Sequence, residues 1–107
     1  MKHDIHHRKL RAGIVGGGQG SFIGAVHRIA AELDGQAEIV AGAMSTDPQR
    51  AAASAQAWYL ERSYDSFEEM ARAEVGLPDG IDFAIVAVPN HLHYRVARAF
   101  LEQGIHV

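Results

Sequence analysis

Apolar residues along this chain occur in short, nearly continuous runs, and polar segments rich in glycine or turn-forming residues separate them. Runs of this length and composition are typical of strands buried inside a parallel sheet. The pattern predicts strands at residues 10–15, 37–43 and 81–88, a short extended piece at 62–64, and the opening of a further strand at 105–107.

Between the predicted strands, apolar residues and alanines recur at the spacing of helices that pack one face against a sheet. We predict helices over residues 22–33, 49–58, 67–74 and 91–103. Residues that favour helix ends flank these segments. The predicted caps are Ser21, Thr46 or Asp47 ahead of Pro48, Ser66 with Glu69, and Asn90 at the helix starts, and Gly35 and Gly104 at the ends.

The alternation of strands and helices predicts an α/β fold with a doubly wound parallel sheet, the three-layer α/β/α arrangement of Rossmann domains. Residues 10–107 would form this single domain, and the polar residues 1–9 a flexible N-terminal tail. In such a sheet a ligand binds beyond the carboxyl ends of the strands, where the strand order reverses. We therefore expect the turn after Val15 and the turn after Val88 to meet there.

A glycine-rich segment joins the first strand to the first helix. Glycines allow a ligand to approach the backbone closely, and free N–H groups at a helix start attract a pyrophosphate. The candidate contacts are Gly16, Gly17, Gly18, Gln19, Gly20, Ser21, Phe22 and Ile23. The usual G-x-G-x-x-G spacing is incomplete, because Ser21 stands where the third glycine belongs and Gly24 fits only a loop three residues longer. A loop that holds no ligand is the alternative.

The residues after the second strand bear on the choice of dinucleotide. A carboxylate at this position would bind the ribose hydroxyls and favour NAD, but the chain has the neutral Ser45 there. Ser45, Thr46 and Arg50 could accept a 2′-phosphate instead, while Asp47 is suited to capping the next helix. The pattern favours NADP, with NAD as the close alternative. Arg50 could equally be an ordinary solvated helix residue.

The strand that ends near residue 88 leads into a second group of candidate contacts. Val88 and Pro89 could wall a nicotinamide or ribose, and Asn90 and His93 place polar groups at the start of a helix. The structural alternative makes Asn90 a helix cap and the histidines surface residues. We assign no catalytic residue within this chain.

Composition narrows the classes of function. The chain has 107 residues, a hydrophobic fraction of 48%, a net charge of −3 and no cysteine. These values predict a single cytoplasmic domain and argue against a nucleic-acid binder, a disulfide framework and a thiolate metal site. No apolar run is long enough to span a membrane. Three histidines in the first seven residues are interpreted as part of the tail rather than as a metal site.

Four segments carry a resemblance to a known family. They resemble the N-terminal domain of the Gfo/Idh/MocA oxidoreductases, a family that includes glucose–fructose oxidoreductase and inositol dehydrogenase. The segments are AGIVGGGQGSFIGAVHRIA, AGAMSTDPQRA, SYDSFEEM and, most specifically, IDFAIVAVPNHLHYRVARAFLEQGIHV. The resemblance implies a Rossmann domain that binds NAD or NADP, and a parent enzyme that transfers hydride to or from a sugar, polyol or similar substrate. It also implies that Gly16 and Gly18 are the fingerprint glycines, and that Pro89, Asn90 and His93 lie beside the cofactor.

The same resemblance implies a departure at the end of the chain. In the family, Gly-x-His-Val leads into a Glu-Lys-Pro motif whose lysine lies at the nicotinamide, and a second, substrate-binding domain follows. Neither is present here, so we expect this chain to bind nucleotide without turnover. An open sheet edge would favour a homo-oligomer. The alternatives are a non-catalytic NAD(P)-binding sensor or interaction module, and a self-associating scaffold with an empty glycine loop.

Overall fold

A computed structural model describes residues 9–16, 28, 30, 32 and 35–107. The chain order of its elements is strand, strand, helix, strand, helix, strand, helix. These are β1 Leu10–Gly16, β2 Ala37–Ala43, α1 Pro48–Ala57, β3 Arg62–Ser63, α2 Phe67–Val75, β4 Phe83–Ala87 and α3 Asn90–Glu102. Arg28, Ala30 and Glu32 are also helical, within the segment where the first helix is predicted.

The four strands form one sheet in the order β3-β2-β1-β4, and every neighbouring pair is parallel. The chain builds outward from β1 to β3 and then crosses back to place β4 on the other side of β1. The strand order therefore reverses between β1 and β4, as a doubly wound Rossmann fold requires. The predicted fold class is confirmed.

Side chains alternate between the two faces of β1 and supply two separate cores. On one face Val15 joins a cluster with Met70 of α2 and Val96 and Phe100 of α3. On the other face Ile14 belongs to a second cluster, against which Trp58 and Leu60 pack. Phe100, Ile14, Met70 and Val96 are all less than 2% exposed. Burial of such side chains is the main force that fixes the helices on the sheet.

Local sequence signals account for most helix ends. Asp47 caps α1 by accepting a hydrogen bond from Gln49 N–H, and Ser66 caps α2 by accepting one from Glu69 N–H. Gly35 and Gly104 take positive φ angles of 74° and 82°, as predicted for residues that end helices. These predictions are confirmed, and Ser21 lies outside the described residues.

The prediction that Asn90 caps the last helix is wrong. Pro89 occupies the cap position, without a side-chain hydrogen bond, and Asn90 is the first helical residue. Pro89 has an extended ψ of 149°, so the backbone bends into the helix one residue earlier than the side-chain pattern indicated.

The last predicted strands differ from expectation in extent and burial. β4 begins at Phe83 rather than at Ile81, and among its residues only Ala84 is fully buried. Within the described sheet β4 is the outer strand on its side, so its surroundings are more open than those of β1 or β2. Of the strand predicted at 105–107, only a single bridge between His106 and Phe83 is formed.

Candidate functional site

The turn at the end of β1 is tightly constrained. Gly16 has a φ of +80°, a left-handed conformation that side chains with a Cβ rarely adopt. A Cβ added there would overlap the carbonyl oxygen of Ala87 and crowd the side chain of Val88. The chain therefore leaves β1 pressed against the end of β4, and only glycine fits. A turn of this kind allows a ligand to approach the backbone closely.

A cleft of about 350 Å³ opens beside this turn, at the carboxyl ends of the strands. Its volume lies at the lower end of the range for small-molecule sites, about 300–1,000 Å³. We call it the strand-end cleft. Its lining residues are Val15, Gly16, Ala43, Met44, Ser45, Thr46, Asp65, Ser66, Phe67, Glu68, Val88, Leu92, Arg95 and Val96.

The loop after β2 brings two of the predicted residues to this cleft. Ser45 is half-buried and its hydroxyl accepts a hydrogen bond from the Asp47 N–H at 3.1 Å, while Thr46 is exposed. The Asp47 carboxylate accepts from Gln49 N–H at 3.0 Å and so stabilises the start of α1. Arg50 is exposed on α1 and does not line the cleft. The loop therefore presents hydroxyl groups to the cleft.

Of the predicted contact residues after β4, only one lines the strand-end cleft. Val88 lines the strand-end cleft, whereas Pro89 and Asn90 are exposed and are not among its lining residues. His93 Nε2 lies 2.7 Å from the carbonyl oxygen of Val88, so this ring nitrogen donates a hydrogen bond to the backbone. His93 also borders a separate apolar groove of about 500 Å³ along β4, which Val107 helps to line.

The structure thus brings together Gly16, Ser45, Thr46 and Val88 from three strand ends. The predicted contacts Gly17, Gly18, Gln19, Gly20, Ser21, Phe22 and Ile23 lie outside the described residues. Their role in cofactor binding stays a prediction, as does that of Pro89, Asn90, His93 and Arg50.

Sequence reasoning missed the part of the cleft that the helices supply. Asp65, Phe67 and Glu68 lie at the start of α2, and Leu92 and Arg95 lie on α3. One signal was available, because the segment from residue 65 follows the end of β3 and so belongs at the same edge of the sheet. The spacing of Leu92 and Arg95 also places them on one helix face.

At the opposite edge of the sheet, charged side chains pair with one another. Glu74 is fully buried and accepts hydrogen bonds from Arg62 Nε at 2.6 Å, Tyr64 Oη at 2.6 Å and Ile81 N–H at 3.1 Å. Arg11 contacts Glu61 and Asp79. We call Arg11, Glu61, Arg62, Tyr64, Glu74 and Asp79 the amino-edge cluster.

The pKa values of Tyr64 and Arg62 reflect the contacts of these side chains with Glu74. Burial, together with the hydrogen bond to Glu74, raises the pKa of Tyr64 from 10.0 to about 12. The hydrogen bond and charge of Glu74 raise the pKa of Arg62 above its ordinary value. No buried polar side-chain atom in the described part of the chain lacks a hydrogen-bond partner. The buried polar groups of this edge are therefore satisfied by one another within the described part of the chain.

Within residues 9–16, 28, 30, 32 and 35–107, no group of three or more His, Asp or Glu side chains is placed to hold a metal ion. No helix in that part of the chain has the length and apolar character needed to cross a bilayer.

Comparisons with known proteins agree with this architecture. The family model described as an oxidoreductase family with an NAD-binding Rossmann fold matches residues 10–107. The chain is 37% identical over 103 residues to an uncharacterized oxidoreductase, YfiI, of Bacillus subtilis, covering 94% of this chain and 26% of that protein.

Two solved structures are also similar. An oxidoreductase from Sinorhizobium meliloti is 49% identical with a TM-score of 0.88, covering 94% of this chain and 28% of that one. An inositol dehydrogenase homologue from Azotobacter vinelandii, complexed with NADH and myo-inositol, is 38% identical with a TM-score of 0.89, covering 94% of this chain and 27% of that one. The chain thus spans 26–28% of the length of these relatives. With its parallel sheet, strand-order reversal and glycine turn, the chain belongs to the Gfo/Idh/MocA oxidoreductase family and forms its NAD-binding Rossmann domain.

Proposed function

We propose that this chain holds the nicotinamide dinucleotide of an oxidoreductase. The pyrophosphate would lie over the turn that begins at Gly16, and the adenosine end would occupy the strand-end cleft. The observation that carries this proposal is the steric requirement at Gly16, where any Cβ would meet Ala87 and Val88. A backbone turn that close to the neighbouring strand is what a dinucleotide site needs at the point where the strand order reverses.

The residues present fit an adenosine group. The cleft combines apolar contacts from Val88 and Leu92 with hydroxyl groups from Ser45 and Thr46. Apolar walls with a few placed polar groups are the usual composition of a small-molecule site. When bound, the nicotinamide ring would supply the hydride chemistry, and this chain's residues would bind and orient the dinucleotide.

The choice between NAD and NADP is the finer part of the proposal. The hydroxyls of Ser45 and Thr46 could donate to a 2′-phosphate, which is why the sequence pattern favours NADP. Arg50 does not line the cleft, and the Asp47 carboxylate is used in capping α1. The similar structure from Azotobacter vinelandii is complexed with NADH. Both dinucleotides therefore belong in the first experiment.

For the whole protein we propose hydride transfer to or from a polyol or sugar-like substrate. The support is family membership and the myo-inositol bound in the similar structure. We assign no catalytic residue to this chain and propose that it binds dinucleotide without turning over substrate. A cytoplasmic location and self-association are likewise proposals from the sequence.

Titration of the purified chain with NADH and with NADPH, followed by nicotinamide fluorescence and calorimetry, tests the proposal. We expect saturable binding of at least one dinucleotide, with no oxidation of myo-inositol by the isolated chain in the presence of NAD. Absence of binding of either dinucleotide at millimolar concentration, by a chain whose circular dichroism is that of a folded α/β protein, would refute it.

A further inference from the structure

One ion pair stands at the strand-end cleft. A guanidinium nitrogen of Arg95 lies 3.9 Å from a carboxylate oxygen of Glu68, and their side chains are 65% and 45% exposed. The same guanidinium lies over the ring of Phe67, 5.9 Å from its centroid. All three residues line the cleft. The guanidinium therefore lies near both an aromatic ring and a carboxylate, next to the space where we place adenosine.

Arg95 is the one cationic residue among those that line the cleft in the described part of the chain. Two carboxylates, Asp65 and Glu68, line it as well. The sum of these formal charges is −1, from one positive and two negative groups. A 2′-phosphate would bring a charge of about −2 into this space, whereas the 2′-hydroxyl of NAD brings none. The charges around the cleft consequently oppose NADP.

The position of the ribose makes this opposition relevant. In Rossmann domains the adenosine ribose contacts the residues just after the second strand. Ser45 and Thr46 occupy that position here and border the same cleft as Glu68 and Arg95. A guanidinium binds phosphate through paired, charge-assisted hydrogen bonds, so a free Arg95 would suit a 2′-phosphate. Glu68 competes for that guanidinium.

We infer that Glu68 sets the preference of this domain for NAD(H) over NADP(H), by pairing with Arg95 and by adding negative charge to the cleft. This inference rests on the proposed function. It reverses the preference that Ser45, Thr46 and Arg50 indicated from the sequence. An exposed ion pair is weak and is screened by salt, so a single substitution is sufficient to free Arg95.

The test compares Glu68→Gln with Glu69→Gln in NADH and NADPH titrations at low salt. Both substitutions remove one carboxylate from the first turn of α2, but Glu69 does not line the cleft. We expect Glu68→Gln to tighten NADPH binding about tenfold, the effect of one additional charge-assisted contact. The ratio of NADPH affinity to NADH affinity should rise by a similar factor, since NAD(H) lacks the phosphate that a freed Arg95 would contact.

A second substitution tests whether the gain in NADPH affinity depends on Arg95. The double variant Glu68→Gln with Arg95→Gln should lose the gain in NADPH affinity, because the freed cation is gone. Glu68→Gln with Arg98→Gln is its control, since Arg98 is also exposed on α3 but pairs with Glu102 and does not line the cleft. This control variant should keep the gain.

Each outcome has a distinct meaning. If Glu68→Gln shifts the NADPH-to-NADH affinity ratio no more than Glu69→Gln does, or if the shift survives removal of Arg95, the inference is overturned while the proposed function stands. The same holds if the unmodified chain already binds NADPH more tightly than NADH. If a folded chain binds neither dinucleotide, the proposed function fails and the inference falls with it.

Discussion

The two edges of the sheet use charge in opposite ways. At the amino edge, Glu74 is completely buried and accepts four hydrogen bonds from three residues, Arg62, Tyr64 and Ile81. At the carboxyl edge, Arg95 and Glu68 form an ion pair at 3.9 Å, with side chains that are 65% and 45% exposed. The first arrangement holds segments of the fold together, and the second leaves its groups available to a ligand.

This contrast teaches where to look for function in such a domain. Burial makes a charged group costly unless its partners are present, so the buried Glu74 and the residues that donate to it form the fixed part of the amino edge. The carboxyl edge instead combines a turn that tolerates only glycine with an open cleft. A larger cavity of about 580 Å³ at the amino edge is lined by Arg11, Glu74 and Asp79, which are already paired. Cavity size alone would select the amino edge, where these charged groups already have partners.

The largest effect should come from Glu74→Ala. The substitution leaves Arg62 and Tyr64 without their buried partner, and loss of one member of a buried pair costs about 3–5 kcal/mol of unfolding free energy. Urea denaturation followed by circular dichroism measures it. If the alanine variant does not fold, Glu74→Gln gives a smaller loss in the same direction, since an amide retains part of the hydrogen bonding.

Glu102→Ala is the matched control for the buried carboxylate. Glu102 pairs with Arg98 at 2.8 Å, but both side chains are more than half exposed. Removal of an exposed ion pair of this kind costs about 0–1 kcal/mol. Equal losses of unfolding free energy for Glu74→Ala and Glu102→Ala would contradict the conclusion that the buried carboxylate stabilises the fold and the exposed one does not.

Gly16→Ala should affect both stability and ligand binding. The left-handed φ costs about 1–2 kcal/mol for a residue with a Cβ, and overlap with Ala87 adds about 1–3 kcal/mol. We expect NADH affinity to fall at least about tenfold, because the backbone over which we propose that the pyrophosphate lies must move. Thermal unfolding and NADH titration measure the two effects.

Gly35→Ala measures the cost of a left-handed φ without the steric overlap that an added Cβ would cause at Gly16. Gly35 has a similar φ of +74°, yet an added Cβ would meet no atom within 4 Å. Its loss of stability should be limited to about 1–2 kcal/mol, with unchanged NADH binding. A Gly16→Ala variant that behaves like Gly35→Ala would remove the steric argument for the dinucleotide site.

The smallest effect is a pH dependence at the amino edge. The Tyr64 pKa is raised from 10.0 to about 12 by burial and by Glu74. Between these values the folded chain binds more protons than the unfolded chain, so stability falls as pH rises through this window and is fully present below it. Tyr64→Phe should reduce the difference between the urea midpoints measured at about pH 9 and about pH 11, because the group that titrates in this window is then absent. An equal slope in both proteins would show that Tyr64 is not the responsible group.

The fold was largely predictable from the sequence because its signals are local. The apolar run at 37–43 and the caps at Asp47 and Ser66 appear in the structure where the sequence placed them. The errors concern tertiary context. Burial of β4 depends on its place in the sheet order, and the start of α3 depends on the backbone at Pro89, neither of which periodicity records.

The candidate site was predictable only where a strand ends. Gly16 ends β1, and Ser45 and Val88 lie within two residues of the ends of β2 and β4, so the topology alone brings them to one edge. Glu68 and Arg95 were missed because their membership of the cleft depends on how α2 and α3 pack against each other. Seven of the predicted contacts, at positions 17–23, lie outside the described residues and stay predictions.

Arg11 has a consequence for how the domain opens. Its backbone N–H donates to Asp82, 71 positions away in the chain, and its guanidinium contacts Glu61, 50 positions away. These contacts tie the first strand to the segments that precede the third and the fourth. If any one of these segments separates from Arg11, the contacts of Arg11 with the other segments are weakened. β1, β3 and β4 should therefore unfold together, as one cooperative unit, rather than one at a time.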